Sequence, residues 1–170
     1  MPQSTLIFLI VLACAGFLVY VFFLFKTRRK RREKRKRRAV REKIVNLSKS
    51  RTELTPEEFF KFRSRGFGIG GTPRYADEIN FEGVYVLYNR TKNKYYVGQG
   101  HRIADRVNMH FTGKGNGDVY ADYKYGDKFT VKMIALKHSG FRSLNALERE
   151  TIGYYKAYAE GYNKTKGNKN

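Results

Sequence analysis

The chain contains little cysteine and few acidic residues. Its 170 residues include one cysteine, Cys14, which excludes an internal disulfide and fits a reducing compartment. Asp and Glu number 15 against 35 Lys and Arg, giving a formal net charge of +20. So basic a chain attracts polyanions, either nucleic acid or an anionic membrane surface, although a basic surface can also serve solubility alone. The length allows one domain and an appendage.

Charge is absent from the first 25 residues. Residues 5–25 contain neither charge nor proline. As a helix they would span about 30 Å, the thickness of the bilayer hydrocarbon, at about 1.5 Å per residue. A secretory signal peptide would have a positive start and a shorter apolar core. Cleavage near Cys14, as in a lipoprotein, would leave a second apolar run on the mature protein. We therefore predict that residues 1–25 form a retained transmembrane helix with a short N-terminal flank.

A polybasic segment follows at residues 26–43, with 13 Lys or Arg and 2 Glu. Positive flanks stay in the cytoplasm, so a single-pass topology with the N-terminus outside is predicted. Anionic lipids are its predicted partners, at about 1 kcal/mol per basic residue, and nucleic-acid phosphates are the alternative. Like charges repel, so we expect an extended or lipid-bound segment. The predicted membrane-surface residues are Arg28, Arg29, Lys30, Arg31 and Arg32.

The remaining sequence predicts a linker and one small domain. Residues 44–81 form the linker, with a short helix that begins at Thr55-Pro56 and a glycine-rich loop at residues 66–71. From residue 82 the pattern predicts the order β-β-α-α-β-α. The predicted strands are 83–88, 95–98 and 128–136, and the predicted helices are 102–111, 118–125 and 143–159. A three-stranded antiparallel sheet flanked by helices is an α+β domain, here at residues 82–166, with a tail at residues 167–170.

Three polar side chains border the predicted core. Arg106 and His110 lie four residues apart on one face of a helix. Glu148 falls on the apolar stripe of the last helix, where a carboxylate is costly unless it is paired or binds a metal. Glu150 lies about 200° away around that helix and should face solvent. A structural ion pair between Glu148 and Arg106 is the alternative interpretation.

Two tyrosines lie beside glycines on the two arms of the predicted hairpin. Taken alone they are ordinary strand aromatics. Together, Gly83-Val84-Tyr85 and Tyr96-Val97-Gly98 resemble the paired signature of the GIY-YIG endonuclease family, with valine in place of both isoleucines. The residues that continue this resemblance in order and spacing are Arg106, His110, Glu148 and Asn163.

The resemblance implies a DNA-cutting enzyme with a single divalent metal, Mg²⁺ or Mn²⁺, bound by Glu148. It implies that Tyr85 activates or positions the attacking water and that Tyr96 orients that network. Arg106 would stabilise charge on the phosphate with His110 assisting proton transfer. Asn163 would support the site.

This assignment is chemically consistent. Phosphodiester cleavage needs an activated water, a Lewis acid and fixed positive charge, and carboxylate ligands suit Mg²⁺. The histidines do not have zinc-site spacing, and no organic cofactor is expected. No second DNA-binding module is visible after Asn163, which predicts weak sequence preference. The predicted DNA contacts are Lys92, Lys94, Arg102, Lys114 and Lys164.

The sequence thus predicts a membrane-anchored, metal-dependent DNA endonuclease at the cytoplasmic face. Its candidate roles are exclusion of phage, defence against foreign DNA and processing of DNA during uptake. An alternative of another class is a catalytically inactive membrane tether that binds nucleic acid through its basic surface. A third is a membrane protein whose basic segment organises anionic lipid.

Overall fold

The computed structural model describes the backbone of residues 3–64 and 80–168, and the side chains of these residues except 3–15, 19 and 64. The glycine-rich loop predicted at residues 66–71 lies outside these ranges. The chain divides into two compact units, Met1–Glu42 and Lys43–Asn170.

The first unit is helical throughout its described part. Helix α1 spans Gln3–Lys49, so the extended form expected for residues 26–43 is wrong. Lys and Arg are good helix formers, and two exposed ion pairs one turn apart add a little support, Arg29–Glu33 at 3.5 Å and Arg38–Glu42 at 3.2 Å. The side chains of the five predicted membrane-surface residues are all exposed.

The predicted membrane span receives no support from the structure. Within the described part of the chain, no helix combines the length and the apolar character needed to cross a bilayer. Within the span, residues 5–25, the side chains of residues 5–15 and 19 are outside the described part of the structure. Among its described side chains, Phe17, Leu18, Phe22, Phe23 and Phe25 are each more than half exposed. The anchor stays a prediction from sequence.

The second unit is built on a three-stranded antiparallel sheet, as predicted. Strand β1 (Gly83–Asn89) lies between β2 (Lys94–Gly100) and β3 (Phe129–Ala135). The register places Tyr85 opposite Gly98 and Leu87 opposite Tyr96. Paired residues point to the same face of a sheet, so the two signature tyrosines share one face.

Helices cover both faces of this sheet. They are α2 (Pro56–Ser64), α3 (Ile103–Phe111), α4 (Gly117–Lys124) and α5 (Leu144–Tyr155). Helices α2, α3 and α4 pack on the face that carries Tyr85. Helix α5 and the end of α1 pack on the opposite face, where Ile44, Val84 and Leu147 form the core. The predicted order of strands and helices is confirmed.

The region predicted as a linker contains parts of the domain. Ile44, in the last turns of α1, is fully buried. Leu54 exchanges two backbone hydrogen bonds with Val131, at 2.9 and 2.7 Å. Thr55 and Glu58 form a reciprocal cap at the predicted start of α2, at 2.8 and 3.2 Å. The compact unit that contains the sheet therefore begins near residue 43, ahead of the domain predicted at residues 82–166.

Helix α5 ends earlier than residue 159. Lys156 adopts a left-handed conformation with φ of 53° and terminates the helix. The inward stripe does not continue past this point. As a result Tyr158, which lies within the predicted helix 143–159, is 45% exposed.

Candidate active site

Tyr85 is the buried centre of the candidate site. Its side chain has no solvent exposure, and its hydroxyl oxygen lies 2.9 Å from His110 Nε2. The ring crosses the neighbouring strand at Gly98, where an added Cβ would overlap the Tyr85 hydroxyl. A glycine at this position is therefore what allows the tyrosine to reach the histidine.

His110 is held at both ring nitrogens. The backbone N–H of Asn116 donates to Nδ1 at 2.9 Å. Burial, and secondly the charge of Arg106, lowers the pKa of His110 to about 4. The imidazole is therefore neutral at pH 7, and its one proton is on Nε2, where it is donated to the Tyr85 hydroxyl. The loop that supplies the Asn116 N–H needs Gly115, because a Cβ there would lie 2.6 Å from Nδ1.

Tyr96 completes an aromatic cluster with these two residues. Its ring centroid lies 6.2 Å from that of Tyr85 and 4.6 Å from that of His110. Burial raises the pKa of Tyr85 well above its ordinary value and also raises that of Tyr96, while Arg106 opposes both shifts. Both phenols are therefore protonated at neutral pH.

Arg106 supplies the positive charge of the site. It lies one turn before His110 on α3, its side chain is exposed, and its charge acts on both tyrosines and on the histidine. Its Nη1 lies 3.7 Å from Met109 Sδ. Across residues 3–64 and 80–168 it forms no ion pair. The guanidinium is thus available to an anionic ligand.

Glu148 is the buried carboxylate of the site. It is 9% exposed, whereas Glu150 is exposed, as their helical spacing predicts. The alternative ion pair with Arg106 is absent from the described structure, in which Glu148 has no cationic partner. Burial raises the pKa of Glu148, and a hydrogen bond from the Asn168 backbone opposes that rise. Glu148 lies close enough to Tyr96 for its charge to raise the tyrosine pKa.

The donor set near Glu148 limits the kind of metal it could hold. Among the described side chains, no group of three or more His, Cys, Asp or Glu could enclose an ion. A single buried carboxylate without a cationic partner fits an ion such as Mg²⁺, which keeps several waters and takes other oxygens from a phosphate. Glu148 is the residue that could hold it.

Asn163 holds the backbone of edge strand β2. Its Oδ1 accepts the Val97 N–H at 2.8 Å, and its Nδ2 donates to the Val97 carbonyl at 2.7 Å. The next hydrogen bond along this edge runs from Tyr162 N to Tyr95 O at 2.9 Å. Val97 follows Tyr96, so the contact fixes the strand that carries this tyrosine. Asn163 is a positioning residue in this arrangement.

The predicted DNA contacts differ in how freely their charges are presented. Lys114 has an exposed side chain in the loop beside His110. Lys94 lies over the ring of Tyr162, with Nζ 5.8 Å from its centroid. The other three predicted contacts have acidic partners: Lys92 with Asp122 at 2.6 Å, Arg102 with Asp105 at 2.8 Å and Lys164 with Asp118 at 3.8 Å.

A second polar cluster was not predicted from the sequence. Asn89 is completely buried, and its Nδ2 donates to Asp127 and to the Tyr162 hydroxyl, each at 2.7 Å. That hydroxyl donates to Asp122 at 2.7 Å. Burial alone would raise the pKa of Asp122, but hydrogen bonds from Lys92 and Tyr162 bring it below its ordinary value. The cluster ties the end of β1 to the segment that carries Asn163.

A comparison with known protein families matches part of this chain. Residues 81–163 match the family model of the GIY-YIG catalytic domain. This match supports the resemblance that the sequence indicated, and a GIY-YIG catalytic domain implies a nuclease. Searches of curated proteins and of solved structures found no match to the chain.

Proposed function

We propose that this chain is a divalent-metal-dependent DNA endonuclease held at the cytoplasmic face of a membrane. The observation that carries the activity is the buried carboxylate of Glu148, which has no cationic partner among the described residues and whose charge acts on Tyr96. The charge of Arg106 acts on the same tyrosine. Together these groups supply what phosphodiester hydrolysis needs: a metal ligand, hydrogen bonds that orient water, and fixed positive charge.

Tyr85 orients the attacking water in this proposal. Its oxygen accepts the His110 N–H, so its own proton is free to be donated to a water molecule or to Tyr96. Because burial raises the pKa of Tyr85, the phenol acts by positioning rather than as a base. A divalent ion held by Glu148 would lower the pKa of a bound water and polarise the phosphate.

Arg106 binds the phosphate and stabilises the charge that develops on it. A guanidinium presents several N–H donors in a plane that matches two phosphate oxygens. The exposed side chain of Arg106 and its lack of a carboxylate partner in the described structure support this role. DNA as the substrate is the class that a nuclease domain of this family implies.

The location at a membrane rests on the N-terminal sequence. Residues 5–25 carry no charge and are followed directly by the basic segment, which places the N-terminus outside and the nuclease in the cytoplasm. Anionic lipid headgroups are the proposed partners of that segment. A nuclease at the bilayer meets phage or other foreign DNA as it enters the cell.

Deletion of residues 1–25 tests this location. We expect cells with the shortened protein to lose protection against incoming DNA, although the purified protein still cuts DNA. Protection is measured as plaque or transformant counts beside those of cells with the full chain. Unchanged protection would contradict the membrane location, but it would not contradict the assignment of the catalytic residues.

A cleavage assay with a matched pair of variants tests the activity. The full chain in detergent micelles is incubated with supercoiled plasmid, linear duplex or single-stranded DNA in Mg²⁺, Mn²⁺ or EDTA. We expect cutting with either metal and none in EDTA.

Tyr85→Phe loses one buried hydrogen bond, worth about 1–3 kcal/mol, and should cut about 10- to 100-fold more slowly.

Tyr88→Phe is the control for this pair. Tyr88 lies on the same strand but on the opposite face, and its hydroxyl donates to Asn93 at 3.0 Å. The control should cut at the wild-type rate, and equal losses in both variants would contradict the role of Tyr85. Salt-sensitive DNA binding without cutting in any metal would support the inactive tether.

A further inference from the structure

A cleft of about 640 Å³ lies at the end of the sheet where β2 leads into α3. Its volume is within the range of ligand-binding clefts, about 300–1,000 Å³. Its walls come from Glu82 before β1, from residues 99–101 at the end of β2, and from residues 142–145 at the start of α5. None of these residues belongs to the candidate active site described above.

The cleft adjoins that site on two sides. A Cβ added to Gly100 would lie 3.0 Å from Arg106 Cγ, so the stem of this arginine packs against a residue of the cleft wall. On the other wall, Asn145 precedes Glu148 by three residues on α5. Residues at this spacing are neighbours on a helix surface, with about 5–6 Å between their Cβ atoms. A ligand bound at Arg106 and Glu148 can therefore extend into the cleft.

Arg142 and Asn145 give the cleft a cation and an amide donor. The Arg142 side chain is exposed and forms no ion pair in the described part of the chain. Gln99 Nε2 donates to Asn145 Oδ1 at 2.7 Å, which orients that amide and leaves its Nδ2 for a ligand. Glu82 also lines the cleft, but its carboxylate lies 3.0 Å from His101 Nδ1 and so has a partner.

These donors suit a phosphate. Arginine and amide side chains are among the groups that bind the phosphate oxygens of DNA, and a guanidinium can donate to two of those oxygens at once. A strand whose scissile phosphate lies at Arg106 continues past the site and brings its next phosphates to the adjoining surface.

We propose that the cleft binds a DNA phosphate that flanks the scissile one, through the Arg142 guanidinium and Asn145 Nδ2. The inference rests on the proposed function, because it takes Arg106 and Glu148 as the place of cutting. It makes Arg142 and Asn145 substrate-binding residues, which position the strand for cleavage of a neighbouring bond.

Three substitutions that each lower the net charge by one test the cleft. Arg142→Ala removes the guanidinium. Asn145→Asp keeps the oxygen that accepts the Gln99 N–H but replaces the free donor with a carboxylate oxygen. Arg51→Ala is the control, because Arg51 is exposed and lies outside the cleft.

Duplex binding by the full chain in non-ionic micelles is measured in EDTA at several salt concentrations. One lost phosphate contact lowers affinity by about tenfold at about 0.1 M salt. Both cleft variants should therefore bind about tenfold more weakly than wild type and depend less steeply on salt, whereas Arg51→Ala should bind as wild type. Equal losses in all three variants would show a general effect of charge and overturn the inference.

An uncharged methylphosphonate linkage at one position of an end-labelled duplex locates the phosphate. Cutting in Mn²⁺ is compared, bond by bond, with that of the unmodified duplex. We expect about tenfold less cutting at a bond a fixed number of nucleotides from the uncharged linkage. In Arg142→Ala this loss should disappear, because the contact is already absent. If every such loss persists in Arg142→Ala, the phosphate is held elsewhere and the inference is overturned.

The inference and the proposed function fail separately. If the wild-type chain cuts DNA and the two cleft variants bind and cut like Arg51→Ala, the cleft has no role and the nuclease stands. If the wild-type chain cuts no DNA with any metal, the proposed function fails. Tenfold weaker binding in EDTA by the two cleft variants alone would then still support a phosphate site in the cleft.

Discussion

Replacing Glu148 with glutamine is expected to abolish DNA cleavage, with a loss of about 10³-fold or more. The substitution keeps the size of the side chain, but it removes the negative charge that would hold the metal. A metal ion supplies several kcal/mol of transition-state stabilisation, and each 1.4 kcal/mol is about a factor of ten in rate. The measurement is single-turnover cleavage of a labelled duplex at several Mg²⁺ concentrations.

Glu150→Gln is the matched control for this result. It makes the same change in charge two residues away on the same helix, but Glu150 is exposed whereas Glu148 is buried. The control should cut at close to the wild-type rate. Equal activity in the two variants, whether high or low, would show that burial on α5 does not distinguish the catalytic carboxylate.

Glu148→Gln should also leave the domain folded. Burial raises the pKa of Glu148, which means that its charged form is unfavourable in the folded protein. A neutral amide in that position removes this cost, so the free energy of unfolding should not fall because of lost charge. Unfolding in urea, followed by far-ultraviolet circular dichroism, distinguishes an inactive folded variant from an unfolded one.

The elements of the domain could be predicted because local signals agree with the tertiary structure. Two apolar-aromatic runs and the polar turn between them specify the hairpin of β1 and β2, and its register puts Tyr85 and Tyr96 on one face. The 3.6-residue period separates buried Glu148 from exposed Glu150. These features follow from spacing along one element, which the sequence displays directly.

The backbone contacts of the site had no comparable signal. The Asn116 N–H that fixes His110 is a main-chain group, which every residue except proline possesses. Its partner lies six residues away, and only the fold brings the two groups together. Gly115 permits this close approach, because a Cβ there would lie 2.6 Å from His110 Nδ1.

The burial of Ile44, ahead of the predicted domain, could not be predicted for a different reason. Ile44 follows a basic segment and belongs to a short apolar stretch that gives no clear period. Its burial depends on the far face of a sheet formed about 40 residues later. A few apolar residues beside many charges resemble a linker until the surface that they cover is known.

Arg106→Ala is expected to slow cleavage by about 10²- to 10³-fold, the usual effect of removing one fixed donor to a developing charge. Arg106→Lys should recover part of the loss, because an ammonium keeps the charge without the planar donor geometry. Arg51→Ala removes an equal charge from an exposed position outside the cluster and should have little effect. Single-turnover rates at saturating enzyme report the chemical step separately from DNA binding.

The same variant gives a second, independent measurement. Burial is the larger cause of the low pKa of His110 and Arg106 is the second, so removal of the arginine should raise that pKa without restoring its ordinary value. The imidazole signals in a nuclear magnetic resonance titration would show this rise. If the rate falls while the pKa of His110 stays unchanged, Arg106 acts away from the tyrosine–histidine pair, and the site as assembled here is wrong. A rise in the pKa together with a wild-type rate would place the arginine beside that pair but outside the chemistry.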